Sequence, residues 1–205
     1  NKESFGLNHH TNRDISYFSN LDSNKNTLIV GTTEKDSTFT DIITTKIDEN
    51  FNLVWQKQLS VNTDLSYDIP IKSFISSNNE LYILGRSAFN ASNSNGLIFI
   101  VKYDEAGELV FNEAIGSIDG SDYVDYRYLD AQLNDDGTMN LVYSHIDNQT
   151  NNFTFLKISN QGDILDSFNL GIPHSGIKGI IKNEKYYFLI SELDETDYTY
   201  SYKFY

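Results

Sequence analysis

Four carboxylates, Asp119, Asp122, Asp125 and Asp130, fall within twelve residues of this chain. Two carboxyl groups on either side of a glycosidic bond suffice for sugar hydrolysis, one holding a proton and the other acting as base or nucleophile. Successive side chains of an extended strand point to opposite faces, however, which sets Asp122 against Asp125. The group reads more simply as solvated loop acids with one turn-capping Asp. Histidines stand at 9, 10, 145 and 174. His9 and His10 are adjacent and diverge on a strand, so they do not share a metal easily, and His174 sits in a connecting loop, Pro173-His174-Ser175-Gly176. Asn134-Asp135-Asp136-Gly137 lacks the spaced ligands and terminal Glu of a calcium loop and reads as a hairpin turn. There is no cysteine, no glycine-rich phosphate loop and no nucleophile elbow. These residues give no convergent catalytic set, no metal set and no cofactor requirement.

The elements that must position any site are strands. Apolar residues come in short runs such as Leu28-Ile29-Val30, or alternate as in Phe153-Thr154-Phe155-Leu156-Lys157-Ile158, and Gly, Asn, Asp and Ser interrupt them every few residues. No stretch sustains a helical apolar stripe. The pattern also repeats. Thr45-Lys46-Ile47-Asp48-Glu49 matches Val101-Lys102-Tyr103-Asp104-Glu105, Leu156-Lys157-Ile158-Ser159-Asn160 and Tyr202-Lys203-Phe204-Tyr205, the lysines being 56, 55 and 46 residues apart. An apolar strand precedes each lysine, and the matching of these strands makes Ile29, Ile83, Val142 and Leu189 equivalent. A turn and a further strand follow the first three: Leu53-Val54-Trp55, Leu109-Val110-Phe111 and Ile164-Leu165-Asp166. An opening strand is read at 14–20, 67–76, 123–133 and 176–182.

Four strands in about fifty residues is the spacing of a β-propeller blade. The expected fold is all-β: consecutive four-stranded antiparallel blades in units at about 14–60, 67–115, 122–170 and 175–205, the last incomplete. A β-sandwich with accidental similarity is the alternative. Because the fourth unit stops where its outer strand should begin, the expectation is a partial propeller; closure of a small ring by residues 3–9 is the other reading.

Gly116-Ser117, Gly120-Ser121-Asp122-Tyr123, Asn134-Asp135-Asp136-Gly137 and Leu141-Val142-Tyr143 resemble the opening, turn and second strand of propeller repeats in secreted and surface proteins of Bacteroidota. The segment from Phe99 through Lys102, Gly107 and Phe111 resembles the second half of such a repeat. Phe51 departs from the pattern, which places a glycine in that turn. The resemblance implies export of the type IX kind and an extracellular or outer-membrane-associated location, with the periplasm as the alternative. It also makes Ser37, in Asp36-Ser37-Thr38, a candidate O-glycosylation site, although these are ordinary loop residues too. Leu53-Val54-Trp55 resembles a pattern of quinone-binding propellers, but the cysteine pair of those enzymes is missing, which leaves Trp55 as an aromatic packed between repeats.

A formal charge of −14 and the lack of any basic block argue against nucleic acid or anionic lipid as partners. The longest apolar runs, such as 97–101, are far too short to span a bilayer, so direct membrane insertion is not expected. The function read from the sequence is a non-catalytic extracellular or cell-surface module that binds protein or glycan, within a larger surface assembly. A carbohydrate-active enzyme domain using loop carboxylates is the alternative. In a propeller the loops between second and third strands and those between blades emerge on one side, and here they are long, at 87–96, 145–152, 62–66 and 117–122. Rigid scaffolds carry function on such loops. The candidate contact residues are therefore Asp64, Tyr67, Asp122 and Tyr126, aromatic and acidic side chains suited to a sugar ring or a basic peptide.

Overall fold

The computed structural model describes residues 14–35, 39–61, 66–88, 96–115, 123–147, 150–171, 176–182, 185–194 and 199–204. All of its regular structure is strand. β1 (Asp14–Leu21), β2 (Thr27–Lys35), β3 (Phe39–Ile47) and β4 (Leu53–Leu59) form one antiparallel meander, and β5 (Tyr67–Ile75), β6 (Leu81–Ala88), β7 (Leu97–Tyr103) and β8 (Leu109–Ile115) form a second. A single parallel bridge, Thr40 to Tyr67, joins the two. A third meander comprises β9 (Tyr123–Leu133), β10 (Met139–Asp147), β11 (Thr150–Ile158) and β12 (Ile164–Gly171); a three-stranded sheet of β13 (Gly176–Lys182), β14 (Lys185–Asp194) and β15 (Thr199–Phe204) follows. The first two meanders make one compact unit and the remaining strands another. Among the described residues no sheet closes on itself.

One turn recurs. At 22–26, 48–52, 76–80, 104–108, 134–138 and 159–163 the first N–H donates to the fifth carbonyl and the fourth N–H to the first carbonyl. This is a type I turn followed by a left-handed residue, a favoured three-residue hairpin connection. The first position holds Asp, Ser or Asn because its side chain caps the turn: Asp22 Oδ1 accepts from the N–H groups of Asn24 and Asn26, Asp48 Oδ1 from those of Asn50 and Asn52, and Ser159 Oγ from those of Gln161 and Asp163.

The fourth position is left-handed in all six, with φ of 65° at Lys25, 64° at Phe51, 61° at Asn79, 82° at Gly107, 80° at Gly137 and 96° at Gly162. Phe51 thus adopts the conformation that the glycine-bearing repeats adopt without strain, while its ring stands 70% exposed. An L side chain in this region costs about 1–2 kcal/mol, of which glycine's larger unfolded entropy takes back a part. Phe51→Gly should therefore stabilise the chain by about 1 kcal/mol, measured as a shift in the urea midpoint; an unchanged or lower midpoint would show that the exposed ring makes contacts worth as much as the strain.

The middle strands are apolar on both faces because both faces are covered. Every residue of β7 is buried, as is all of β6 except Arg86. Leu28, Val30 and Ile42 of the first meander pack with Leu81, Ile83, Leu97, Phe99 and Val101 of the second, and Trp55 and Leu59 lie on the edge of this cluster. Neither meander could bury these residues alone. The outer strands begin on exposed apolar pairs, Leu53-Val54, Leu109-Val110 and Ile164-Leu165.

The lysine register holds for three repeats and fails for the fourth. Lys46, Lys102 and Lys157 each lie opposite the second residue of the preceding strand, namely Leu28, Tyr82 and Asn140. Lys203 instead lies opposite Ile190, the sixth residue of β14. There Lys182 pairs directly with Lys185, a two-residue connection in place of the five-residue turn. The residues equivalent to Ile29 and Ile83, paired one place before their lysines, are Leu141 in the third repeat and Ser191 opposite Tyr202 in the last sheet. Val142 and Leu189, expected at those places, are displaced by one and two residues. Matching by apolar content had skipped the polar Asn140, and in an alternating strand a one-residue slip moves a side chain to the other face.

Candidate functional site

The start of β5 gathers aromatic and acidic side chains at one end of the first compact unit. The Thr40–Tyr67 bridge sets the beginning of β3 beside the beginning of β5. The Thr40 N–H donates to the Ser66 carbonyl at 3.2 Å, and its hydroxyl to the Asp68 carbonyl at 3.0 Å. Tyr67, one of the expected contact residues, is half-buried, its ring 5.6 Å from that of Phe39 and tilted by 60°. An amphipathic pair of this kind can meet an apolar ring and leave a hydroxyl for solvent or ligand.

The next residue of β5, Asp68, is fully buried. Its Oδ2 accepts the Val61 N–H at 2.8 Å, and its Oδ1 accepts the hydroxyls of Ser66 at 3.0 Å and Ser87 at 2.5 Å. Burial pushes the Asp68 carboxyl above the ordinary carboxylate range despite these hydrogen bonds, and the charge of Asp41 pushes the same way. Asp41, also buried, accepts the Gln58 side-chain amide at 2.6 Å. Asp68 thereby ties the start of β5 to the end of β6 and to Val61, two residues past β4, while Asp41 ties β3 to β4.

At the other end of the same strands lies a second charged cluster. Lys46 Nζ is 3.0 Å from Asp22 Oδ2, both side chains being almost wholly buried, and donates to the Glu105 carbonyl at 3.3 Å. Burial works against the charge on Asp22, but hydrogen bonds from Asn26 and Lys46 outweigh it and hold the carboxyl below its usual range. The Glu105 carboxylate accepts the side-chain amides of Asn24 and Asn79. The Trp55 indole N–H also donates to the Glu105 carbonyl, at 3.3 Å, and its ring covers Gly107, where a Cβ would come within 2.7 Å. Trp55 is an aromatic packed between repeats. The second lysine, Lys102, pairs with Glu80 at 2.9 Å over the Tyr82 ring.

Of the four expected contact residues, Tyr67 has a described side chain. Tyr126 lies in β9, between the pairs Asp125–Ser144 and Asp130–Val142, where the register is irregular. Asp64 and Asp122 fall outside the described residues, as do Ser37, Asp119, His9, His10 and His174. His145 lies in β10 opposite Asn152. The turn 134–138 has the hairpin geometry expected of it. Among the described residues no three acidic or histidine side chains come together as a metal site, and no helix is long and apolar enough to cross a membrane.

Phe39, Asp41 and Asp68 were not singled out by the sequence. A signal for Asp68 existed, since it stands inside the otherwise apolar Tyr67-Asp68-Ile69-Pro70-Ile71, where a charge demands partners. No such signal joined it to Asp41. No family model matches the chain and no curated protein matches it. Among solved structures it resembles one described as a GH43 β-1,3-galactosidase, with a TM-score of 0.44 and 10% sequence identity over 89% of this chain; the match spans 44% of that chain, less than half its length.

Proposed function

We propose that the chain is a run of consecutive β-propeller blades forming a non-catalytic, extracellular or cell-surface module that binds protein or glycan. Three four-stranded meanders built on one turn geometry support the propeller reading, as does the shared apolar layer between the first two. The observation that carries the binding reading is the state of Asp68. This carboxylate, next to Tyr67 in β5, is fully buried and both its oxygens are engaged by the protein's own donors. It braces the strand that presents Tyr67 and has no face left for a substrate. The acidic balance of the chain further favours a neutral glycan or a basic protein surface over nucleic acid.

Glycan-array and surface pull-down experiments test this. The wild-type chain should retain a partner that Tyr67→Ala combined with Tyr126→Ala loses by at least about tenfold, the scale of one or two aromatic anchors. Turnover of a glycan by the purified chain, abolished by Asp122→Asn, would establish the carbohydrate-active alternative instead.

A further inference from the structure

Phe51 holds a left-handed backbone, φ 64°, in the turn 48–52, where the equivalent turns of the next two repeats hold Gly107 and Gly162. An L side chain is strained there, and burial does not offset the strain, since the residue is 70% exposed. Retained strain of this kind clusters at binding and catalytic sites. The ring is not the only apolar group at this place. Leu53 and Val54, at the start of β4, are exposed by 51% and 52%, so one turn and one strand start present three apolar side chains to solvent. The patch has a charged border. Asp48 and Glu49 belong to the same turn, and β4 reaches the turn 104–108 of the second repeat: the Trp55 indole N–H meets the Glu105 carbonyl, and Lys57 Nζ lies 3.0 Å from Glu108 Oε1. Asp104, Glu105 and Glu108 thereby join the acids. Lys57 is paired with Glu108 and the buried Lys46 with Asp22, and Lys25 of the neighbouring turn 22–26 still leaves the balance negative.

We propose that Phe51, Leu53 and Val54 form a docking surface for a cationic amphipathic segment of a partner protein. The apolar side of that segment covers the three residues, and its Lys or Arg side chains meet Glu49 and Glu105. The surface lies at the end of β3 away from Tyr67 and does not depend on what binds there. A small molecule would need a concavity, whereas Phe51 projects from a turn and suits a partner that closes around it as an anchor. A second copy of the chain is disfavoured by charge, each carrying −14.

The test titrates the whole chain with a synthetic leucine–lysine peptide whose leucines share one helical face, followed by NMR shift changes in residues 48–54. It should bind saturably with a dissociation constant of about 0.1 mM or tighter, and more tightly as salt is lowered. The same peptide with glutamate for lysine, and a scrambled leucine–lysine peptide of equal composition, should each bind at least about tenfold more weakly. Phe51→Gly should weaken binding of the first peptide at least about tenfold while its urea midpoint does not fall, which separates a lost contact from a lost fold; if that variant does not fold, Phe51→Asn takes its place, since asparagine tolerates the left-handed region. Glu49→Gln with Glu105→Gln should flatten the salt dependence, and Tyr67→Ala should leave binding unchanged. Equal binding of the scrambled peptide would reduce the effect to general attraction by an acidic chain and overturn the assignment. So would the absence of saturable binding, or binding undiminished in a folded Phe51 variant. Adsorption to phosphatidylcholine vesicles that Phe51→Gly abolishes would assign the patch to a lipid surface instead and overturn it as well.

Discussion

Replacing Lys46 by alanine should cost about 3–5 kcal/mol of folding stability, the range for removing one partner of a buried ion pair. The Asp22 carboxylate would stay behind, cut off from solvent, with the N–H groups of its own turn and the Asn26 amide as its remaining donors. The Glu105 carbonyl would lose the ammonium as well. The protein contains its own control. Lys102 occupies the equivalent place, but its partner Glu80 is about a quarter exposed, at 24%, so Lys102→Ala leaves a carboxylate that water can reach and should cost less. In a double variant, Lys46→Met with Asp22→Asn, most of the loss should be regained, because no buried charge remains. Urea unfolding of the four proteins measures each term. A cost for Lys46→Ala no greater than for Lys102→Ala would show that Asp22 is rehydrated and that the pair does little to hold the repeats together.

Asp68→Ala should cost about 2–4 kcal/mol, since it strands the Val61 N–H and two serine hydroxyls in a buried site. Asp68→Asn should behave quite differently. Its carbonyl can accept from Val61 and its amide can donate to Ser66 and Ser87, so the hydrogen bonds survive without the charge. The sign of the pH effect follows from the raised carboxyl. An acid whose folded pKa lies above its unfolded value, here 3.8, holds its proton more tightly when folded. Its contribution is complete below the unfolded pKa and is lost as pH rises through the folded one. Wild type and Asp68→Asn should therefore be similar near pH 4, with the variant gaining on wild type as pH rises. Asp41→Asn should narrow the gap by removing the neighbouring repulsion. A difference between Asp68→Asn and wild type that is flat across this range would mean the carboxyl is not perturbed. Asp22 runs the opposite way, being lowered, so its contribution is present above pH 3.8 and fades as pH falls through its folded value.

These two acids also mark the boundary between what the sequence determined and what it left to the tertiary structure. Strands, turns and most of the repeat were legible because their causes are local. A period of two specifies a half-buried strand, and Asp, Ser or Asn opening a five-residue turn caps it through its own backbone. The glycine expected in place of Phe51 came instead from the resemblance to propeller repeats. The packing role of Trp55 was what remained once the cysteine pair of the quinone-binding propellers it resembles was found missing. Constant turn length is why Lys46, Lys102 and Lys157 align, while Lys203 and Leu189 follow a shorter connection and do not; Val142 is out of place by one because the strand of the third repeat carries the polar Asn140 where the others are apolar. Partner choice was not legible at all. Asp41 meets Asp68 because a single parallel bridge lays two strand starts side by side, and Lys46 reaches Glu105 because two meanders stack face to face. Periodicity fixes which face a side chain takes; what waits on that face is decided by chain segments dozens of residues away.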